Sequence, residues 1–288
     1  MNRFFLILLF SASLIYSQKL ISPDSAYRAN SIELLINTFD QWIDYPKSDN
    51  NQDVKISYYM PSKPTSSEKI NKSIDIIKYT YEIFEDFYDP KIFKDLKDSF
   101  IADSLSNNWY PELGDTLYNN IRYVLIQNKI KICVYDSLLE SFYLSTNKYM
   151  FPNFTIEILD FHPKINIPDV KVIYLEDWLK CVLGEFLINK YIPIGEDLFW
   201  MDDHITKDAE NKLNFLNRVM RIYYDRTCSS WIVETPPSKV SINYNKRLTS
   251  ATVEFMLINQ AGTAYYKRVD EKWNYLKSRI TSNCITID

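Results

Sequence analysis

The residues of this chain that could do chemistry are few, and the densest group is Asp202-Asp203-His204, with Asp208 close behind. Carboxylates beside an imidazole are the donor types that hold a divalent cation, or that make an acid/base pair when they face a cleft. The same residues also suit a plainer role, because neighbours along a strand or helix point in different directions and an aspartate just ahead of a helix caps it. His162 precedes Pro163 with Asp160 nearby, a turn that suits a surface histidine as well as a catalytic one. Neither histidine lies in a zinc-binding helix motif, no serine lies in a GxSxG elbow, and the 4 glycines make no phosphate-cradling loop. No cofactor is expected.

A second set is aromatic. Trp231, Tyr265, Tyr266, Trp273 and Tyr275 fall on neighbouring expected strands. Trp231, Glu254, Tyr266 and Trp273 are the candidate ligand-binding residues of a pocket mouth that takes an apolar or aromatic molecule. Ordinary cross-strand and core pairing accounts for the same aromatics. Glu254, Asp270 and Glu234 are the nearest carboxylates, and alternation sets Glu254 opposite Val253 and Phe255, hence in solvent if those two face the core. Trp109-Tyr110-Pro111 reads either as a recognition patch or as a loop staple. The sequons at Asn71 and Asn153 matter only in a eukaryotic host.

Cys133, Cys181, Cys228 and Cys284 allow three full pairings, and none are close enough for a CxxC redox or zinc pattern. Cys228 and Cys284 flank the two ends of the expected C-terminal sheet and are the candidate disulfide. Four reduced, buried thiols are the alternative, with Cys181 packing as a small apolar side chain.

The elements that must position these residues follow from hydrophobic spacing. Ile32, Leu35, Ile36, Phe39, Trp42 and Ile43 recur at helical steps from a start near Asp24. The capping-box spacing of residues 65–68 opens a helix carrying Ile70, Ile74, Ile77, Tyr81, Phe84 and Tyr88. A third stripe runs over Ile92, Phe93, Leu96, Phe100 and Ile101. Residues 121–127 and 130–135 are β-rich around Asn128-Lys129 and predict a hairpin, although Leu117, Ile121, Val124 and Leu125 also fit a helix. Residues 155–161 alternate as a strand, and the proline-bearing stretch 163–168 is a linker candidate. Helices are expected over 174–189 and 206–224. Alternating runs at 230–235, 240–244, 251–257, 264–269 and 273–280, joined by short links, then demand an antiparallel meander of four or five strands. The expected class is α+β, with a mainly helical region over 18–168 and an α+β domain over 169–288.

The first residues carry an address. Arg3, the apolar run 4–10 and the small, hydroxyl-rich run 11–17 have the order of a secretory signal peptide, with cleavage expected after Ser17. Every later apolar stretch is soon broken by charged or amide residues, so no membrane span is expected after removal of the signal, and the mature chain is expected to be secreted or periplasmic. The net charge of −4 lies along the chain without long blocks, which argues against a nucleic-acid partner. Aromatic residues at 15% and only 4 glycines indicate a packed globular protein.

The segments Asn214-Phe215-Leu216-Asn217-Arg218-Val219, Trp231-Ile232-Val233-Glu234-Thr235-Pro236-Pro237, Ala251-Thr252-Val253-Glu254-Phe255, Gly262-Thr263-Ala264-Tyr265-Tyr266-Lys267 and Lys272-Trp273 resemble the C-terminal region of uncharacterised exported proteins common in Bacteroidota. The order of helix and then curved meander is also similar to NTF2-like, cone-shaped α+β domains, or a cystatin-like meander. The chain departs from that group at residues 225–230, where the relatives have a glycine- and tryptophan-rich turn. The resemblance implies an architecture and a compartment, not an activity. Two functions are expected from different classes. One is an exported, non-enzymatic module that binds a protein or small-molecule partner through the C-terminal sheet. The other is a small-molecule enzyme using a cone-shaped pocket.

Overall fold

In the computed structural model of the chain, the structure describes residues 22–43, 54–58, 66–88, 121–136, 152–189, 205–225, 230–257 and 260–283. The signal-like segment, the 92–101 stripe, Trp109-Tyr110-Pro111, Asp202-Asp203-His204, Cys228 and Cys284 lie outside the described residues. The protein is α+β, with a mostly antiparallel main sheet and few helices. Among the described residues no helix is long and apolar enough to cross a membrane.

The first helical stripe behaves as its spacing requires, while in the second Phe84 and Tyr88 are buried and Ile77 and Tyr81 only half-buried. The first stretch divides into α1 (Asp24–Arg28) and α2 (Ile32–Ile43), and α2 buries Leu35, Phe39 and Trp42 at four- and three-residue steps. Helix α3 (Ser66–Phe87) is long, and its Ile76, Ile83, Phe84 and Phe87 are fully buried. At about 1.5 Å per residue it is long enough to lie across several strands.

The strands are β1 (Val54–Tyr58), β2 (Tyr123–Gln127), β3 (Ile130–Tyr135), β4 (Phe154–Ile158) and β5 (Lys171–Leu175), followed by α4 (Asp177–Ile188) and α5 (Lys207–Leu216). Then come β6 (Tyr223–Asp225), β7 (Ser230–Ile232), β8 (Ser238–Asn245), β9 (Ser250–Leu257), β10 (Gln260–Val269) and β11 (Lys272–Asn283). The main sheet has 7 strands in the order β1-β4-β3-β8-β9-β10-β11. All of its neighbours are antiparallel except the parallel pair β3 and β8. The expected meander is the run β8 to β11. The segment at Trp231 does not join it, because β7 pairs with β6 in a separate two-stranded sheet.

The hairpin expected around Asn128-Lys129 does not form. Both strands exist, but β2 pairs in parallel with β5 while β3 pairs with β4 and β8. The physical reason is burial. Tyr123, Val124, Leu125 and Ile126 are buried on both faces of β2, so that strand belongs between layers rather than beside a strand with a solvated face. Val124 and Ile126 pack into one hydrophobic cluster with α3 and the main sheet, and Tyr123 and Leu125 into a second with α2, α4 and α5. Gln127 joins the sheets by side chain: its Oε1 accepts from the Val240 amide at 2.6 Å and its Nε2 donates to the Val240 carbonyl at 2.8 Å. Strand pairing also runs across the boundary expected at Pro168, since β2 meets β5 and β3 meets β8, and both clusters draw on residues from either side of it.

Two helix boundaries differ from expectation. Tyr174 and Leu175 extend in β5, and α4 begins only after Glu176, whose backbone is still extended. Helix α5 is capped by Thr206, whose Oγ1 accepts from the Ala209 amide at 3.1 Å, but it ends at Leu216 rather than near residue 224. Asn217 folds the chain back, taking the Ile222 amide on Oδ1 at 2.9 Å and donating from Nδ2 to the Ile222 carbonyl at 3.1 Å. That clasp places Ile222 in the second cluster and starts β6.

Asp40 ties α2 to both strands of the parallel pair, accepting from Tyr123 Oη and from Lys171 Nζ, each at 2.7 Å. Lys171, and then Tyr123, hold its carboxyl below the ordinary value of 3.8. A depressed carboxylate contributes stability that is present above its unfolded value and is lost as pH falls through the folded one. Stability should therefore fall below about pH 4, and Asp40→Asn should flatten part of that acid limb in urea denaturation. The Asp40 side chain is 38% exposed, so the contribution is at most about 1 kcal/mol.

Candidate functional site

The structure does not bring Trp231, Glu254, Tyr266 and Trp273 to one place. Trp231 is buried in the second cluster, its ring 5.0 Å from Tyr224. Tyr266 is buried under α3 in the first cluster, against Tyr275 at 5.7 Å. Trp273 is half-buried on the same side, edge-on to Tyr79 at 5.8 Å and to Tyr244 at 5.6 Å. Tyr266 and Trp273 fasten the meander to α3. Glu254 faces away from them: Val253 and Phe255 are buried in the first cluster, so the alternation of β9 turns the half-buried Glu254 to the other face. An acid/base pair of Glu254 with Tyr266 is therefore excluded by the sheet between them.

Of the carboxylate and histidine set, Asp208 is described and is structural. It lies in the first turn of α5, 3.0 Å from Lys212 Nζ, and accepts from Asn189 Nδ2 at 3.3 Å. Lys212 and then Asn189 hold its carboxyl below the ordinary range. Lys212 also donates to Asn189 Oδ1 at 2.7 Å, so the group locks the end of α4 to α5. His162 lies 3.2 Å from Asp160 through Nδ1, with its ring 4.3 Å from that of Tyr174. Glu234 accepts from the Lys239 amide at 2.8 Å, and Asp270 occupies the left-handed turn between β10 and β11. Among the described residues no group of three or more His, Cys, Asp or Glu is placed to hold a metal. Cys133 and Cys181 are free thiols, and burial pushes both upward, away from the reactive thiolate. Cys181 is half-buried on α4.

The polar chemistry of the described residues gathers on the second face of the main sheet. One row of cross-strand neighbours crosses every strand: Lys55, Glu157, Lys131, Ser241, Glu254, Thr263 and Arg279. The adjacent row is Ser57, Thr155, Cys133, Asn243, Thr252, Tyr265 and Lys277. Neither hydrophobic cluster includes a residue from these rows. The small central members Thr155, Cys133, Asn243 and Thr263 are buried, while Lys55, Lys131, Glu157 and Lys277 are exposed around them. At the β11 end the Tyr265 ring carries two cations, Lys277 Nζ at 5.2 Å from its centroid and the Arg279 guanidinium at 5.5 Å.

Of these residues the sequence marks only Glu254 and Tyr265 as candidates for a pocket mouth. Alternation marks each of the others as outward-facing, but their assembly into rows depends on pairings between distant segments that no local pattern shows. Comparison with protein-family models, with curated proteins and with solved structures finds nothing that matches this chain.

Proposed function

We propose that this chain is an exported, non-enzymatic binding protein, secreted or periplasmic, that takes an acidic protein partner on the polar face of its main sheet. The observation that carries the reading is the charge of that face. Lys55, Lys131, Lys277 and Arg279 outnumber Glu157 and Glu254 along its rows, in a chain whose net charge is −4. Opposite potentials meeting across an interface guide encounter and fix register. Residues 1–17 supply the route of export, and the kinship with exported Bacteroidota proteins belongs to the same proposal. The long α3 under the β8 to β11 meander supports a cystatin-like arrangement better than an NTF2-like cone, because buried aromatics fill the place of a cone's cavity.

Photoreactive residues placed by site-specific incorporation test the surface in the native envelope. At Lys131 and Lys277 they should capture one shared acidic protein, and at Lys78, on the solvent side of α3 with its side chain 70% exposed, they should not. Capture of the same protein from Lys78 but not from the sheet positions would move the interface elsewhere.

A further inference from the structure

We propose that a second site, the cleft where α2, β5 and α4 meet, binds a methylated ammonium group. The cleft has a volume of about 50 Å³ and is lined by Trp42, Ile43, Val172, Tyr174, Glu176 and Trp178, among others. It shares no residue with the polar face of the main sheet, so the two proposals stand separately.

Three features of the lining favour positive charge. The first is aromatic. The indoles of Trp42 and Trp178 stand nearly perpendicular, with centroids 6.4 Å apart. Ring faces attract cations through their quadrupole, and tryptophan does so best.

The second is Glu176, the one ionisable carboxylate in the lining. It sits at the N-cap of α4 without making a side-chain cap, and its Oε2 instead accepts from Trp178 Nε1 at 2.9 Å. That bond holds the carboxylate beside the indole. The third is the end of α2: Trp42 and Ile43 are its last residues, and its last turn carries no basic side chain. The negative end of the helix dipole thus lies at the cleft without a cation of its own helix to offset it.

The same lining selects the kind of cation. A primary ammonium needs three acceptors, and here one oxygen of Glu176 is already engaged while the side chains of Trp42, Ile43 and Trp178 offer none. A methylated ammonium is weakly hydrated and carries its charge on methyl groups, which suits aromatic and aliphatic walls with one carboxylate at the rim. The volume seats one or two methyl-sized groups, leaving the rest of the ligand in solvent.

The test is a titration of the full chain, with nitrogen-labelled indoles, by tetramethylammonium and by choline at constant ionic strength. Dimethylbutanol, the neutral carbon isostere of choline, serves as the comparison. The Trp42 and Trp178 indole signals, assigned through Trp42→Phe and Trp178→Phe, should shift saturably with both cations and not with the alcohol. Glu176→Gln should weaken the cation about tenfold while leaving the melting temperature unchanged. Equal binding of the alcohol would overturn the proposal by showing a plain apolar slot, and this comparison needs no variant. Undiminished affinity in Glu176→Gln, or the absence of a saturable shift at either indole, would overturn it as well. None of these outcomes alters what is captured from Lys131, so failure here and failure of the sheet interface are read separately.

Discussion

Phe84→Ala lowers the stability of the protein by about 3 to 5 kcal/mol in urea denaturation, the loss expected when a buried phenylalanine is truncated and its cavity cannot close. The Phe84 ring is fully buried, edge-on to Phe161 at 4.9 Å and stacked with Tyr88 at 5.8 Å. Phe161 is itself fixed, its amide donating to the Asn128 carbonyl at 2.7 Å, so the wall opposite the missing ring does not move in cheaply. Phe84→Leu, which keeps most of the volume, should cost clearly less. Leu276→Ala is the control: Leu276 is 56% exposed, and its loss should stay within about 0.5 kcal/mol. A Phe84→Ala variant no weaker than that control would mean that α3 does not lie on the sheet.

Gly262→Ala should cost about 1 to 3 kcal/mol, an overpacking penalty on a site where a single methyl has no room. Gly262 stands opposite Phe255 in the β9 and β10 register, and a Cβ built there runs into Cζ and Cε2 of the Phe255 ring. The ring is buried and presses against Phe87 at 5.0 Å, so it cannot swing aside freely. An aromatic lying over a glycine in the neighbouring strand covers the exposed backbone that the glycine leaves. The loss should therefore be non-additive with truncation of the ring. Gly262→Ala in a Phe255→Leu background should be nearly neutral, because the atoms it strikes are gone. An equal penalty in both backgrounds would place its cause outside this contact.

The parts of the fold legible in the sequence are those that depend on near neighbours. Leu35, Phe39 and Trp42 mark the buried side of α2 by spacing alone, and the short links of the β8 to β11 run force antiparallel pairing. What spacing could not show is pairing between distant segments. Strands β2 and β5 are parallel and separated by two strands of another sheet, and β3 meets β8 across most of the intervening chain. No turn signal marks such contacts. The Asn128-Lys129 pair has hairpin chemistry, yet the burial of β2 on both faces overrides it. In the same way Asn217 ends α5 with side-chain bonds that helical periodicity does not register.

The site was less legible than the fold because a one-residue step along a strand changes the face. Tyr265 and Tyr266 are adjacent, but Tyr266 belongs to the core while Tyr265 lies between Lys277 and Arg279 on the polar side. The orientation of Glu254 follows from its buried neighbours, as alternation predicts. Its companions Lys131, Glu157 and Arg279 come from three other strands, and only the register brings them into line. The aromatic cleft is harder still to read, since Trp42 and Trp178 come from segments on either side of β2 to β4 and meet only through packing on β5.

The most direct measurement compares capture of the acidic partner from a photoreactive residue at Thr252, half-buried within the second row, in the native chain and in Lys131→Glu/Lys277→Glu. Both lysines are exposed and belong to neither hydrophobic cluster, so the double variant, which sets a carboxylate at position 131 opposite Glu157 and takes a cation from the Tyr265 ring, should lose no more than about 1 to 2 kcal/mol. Capture should fall about tenfold or more, as expected when like charges are set against a partner. Undiminished capture in a variant that stays folded would contradict the claim that the polar face is the recognition surface.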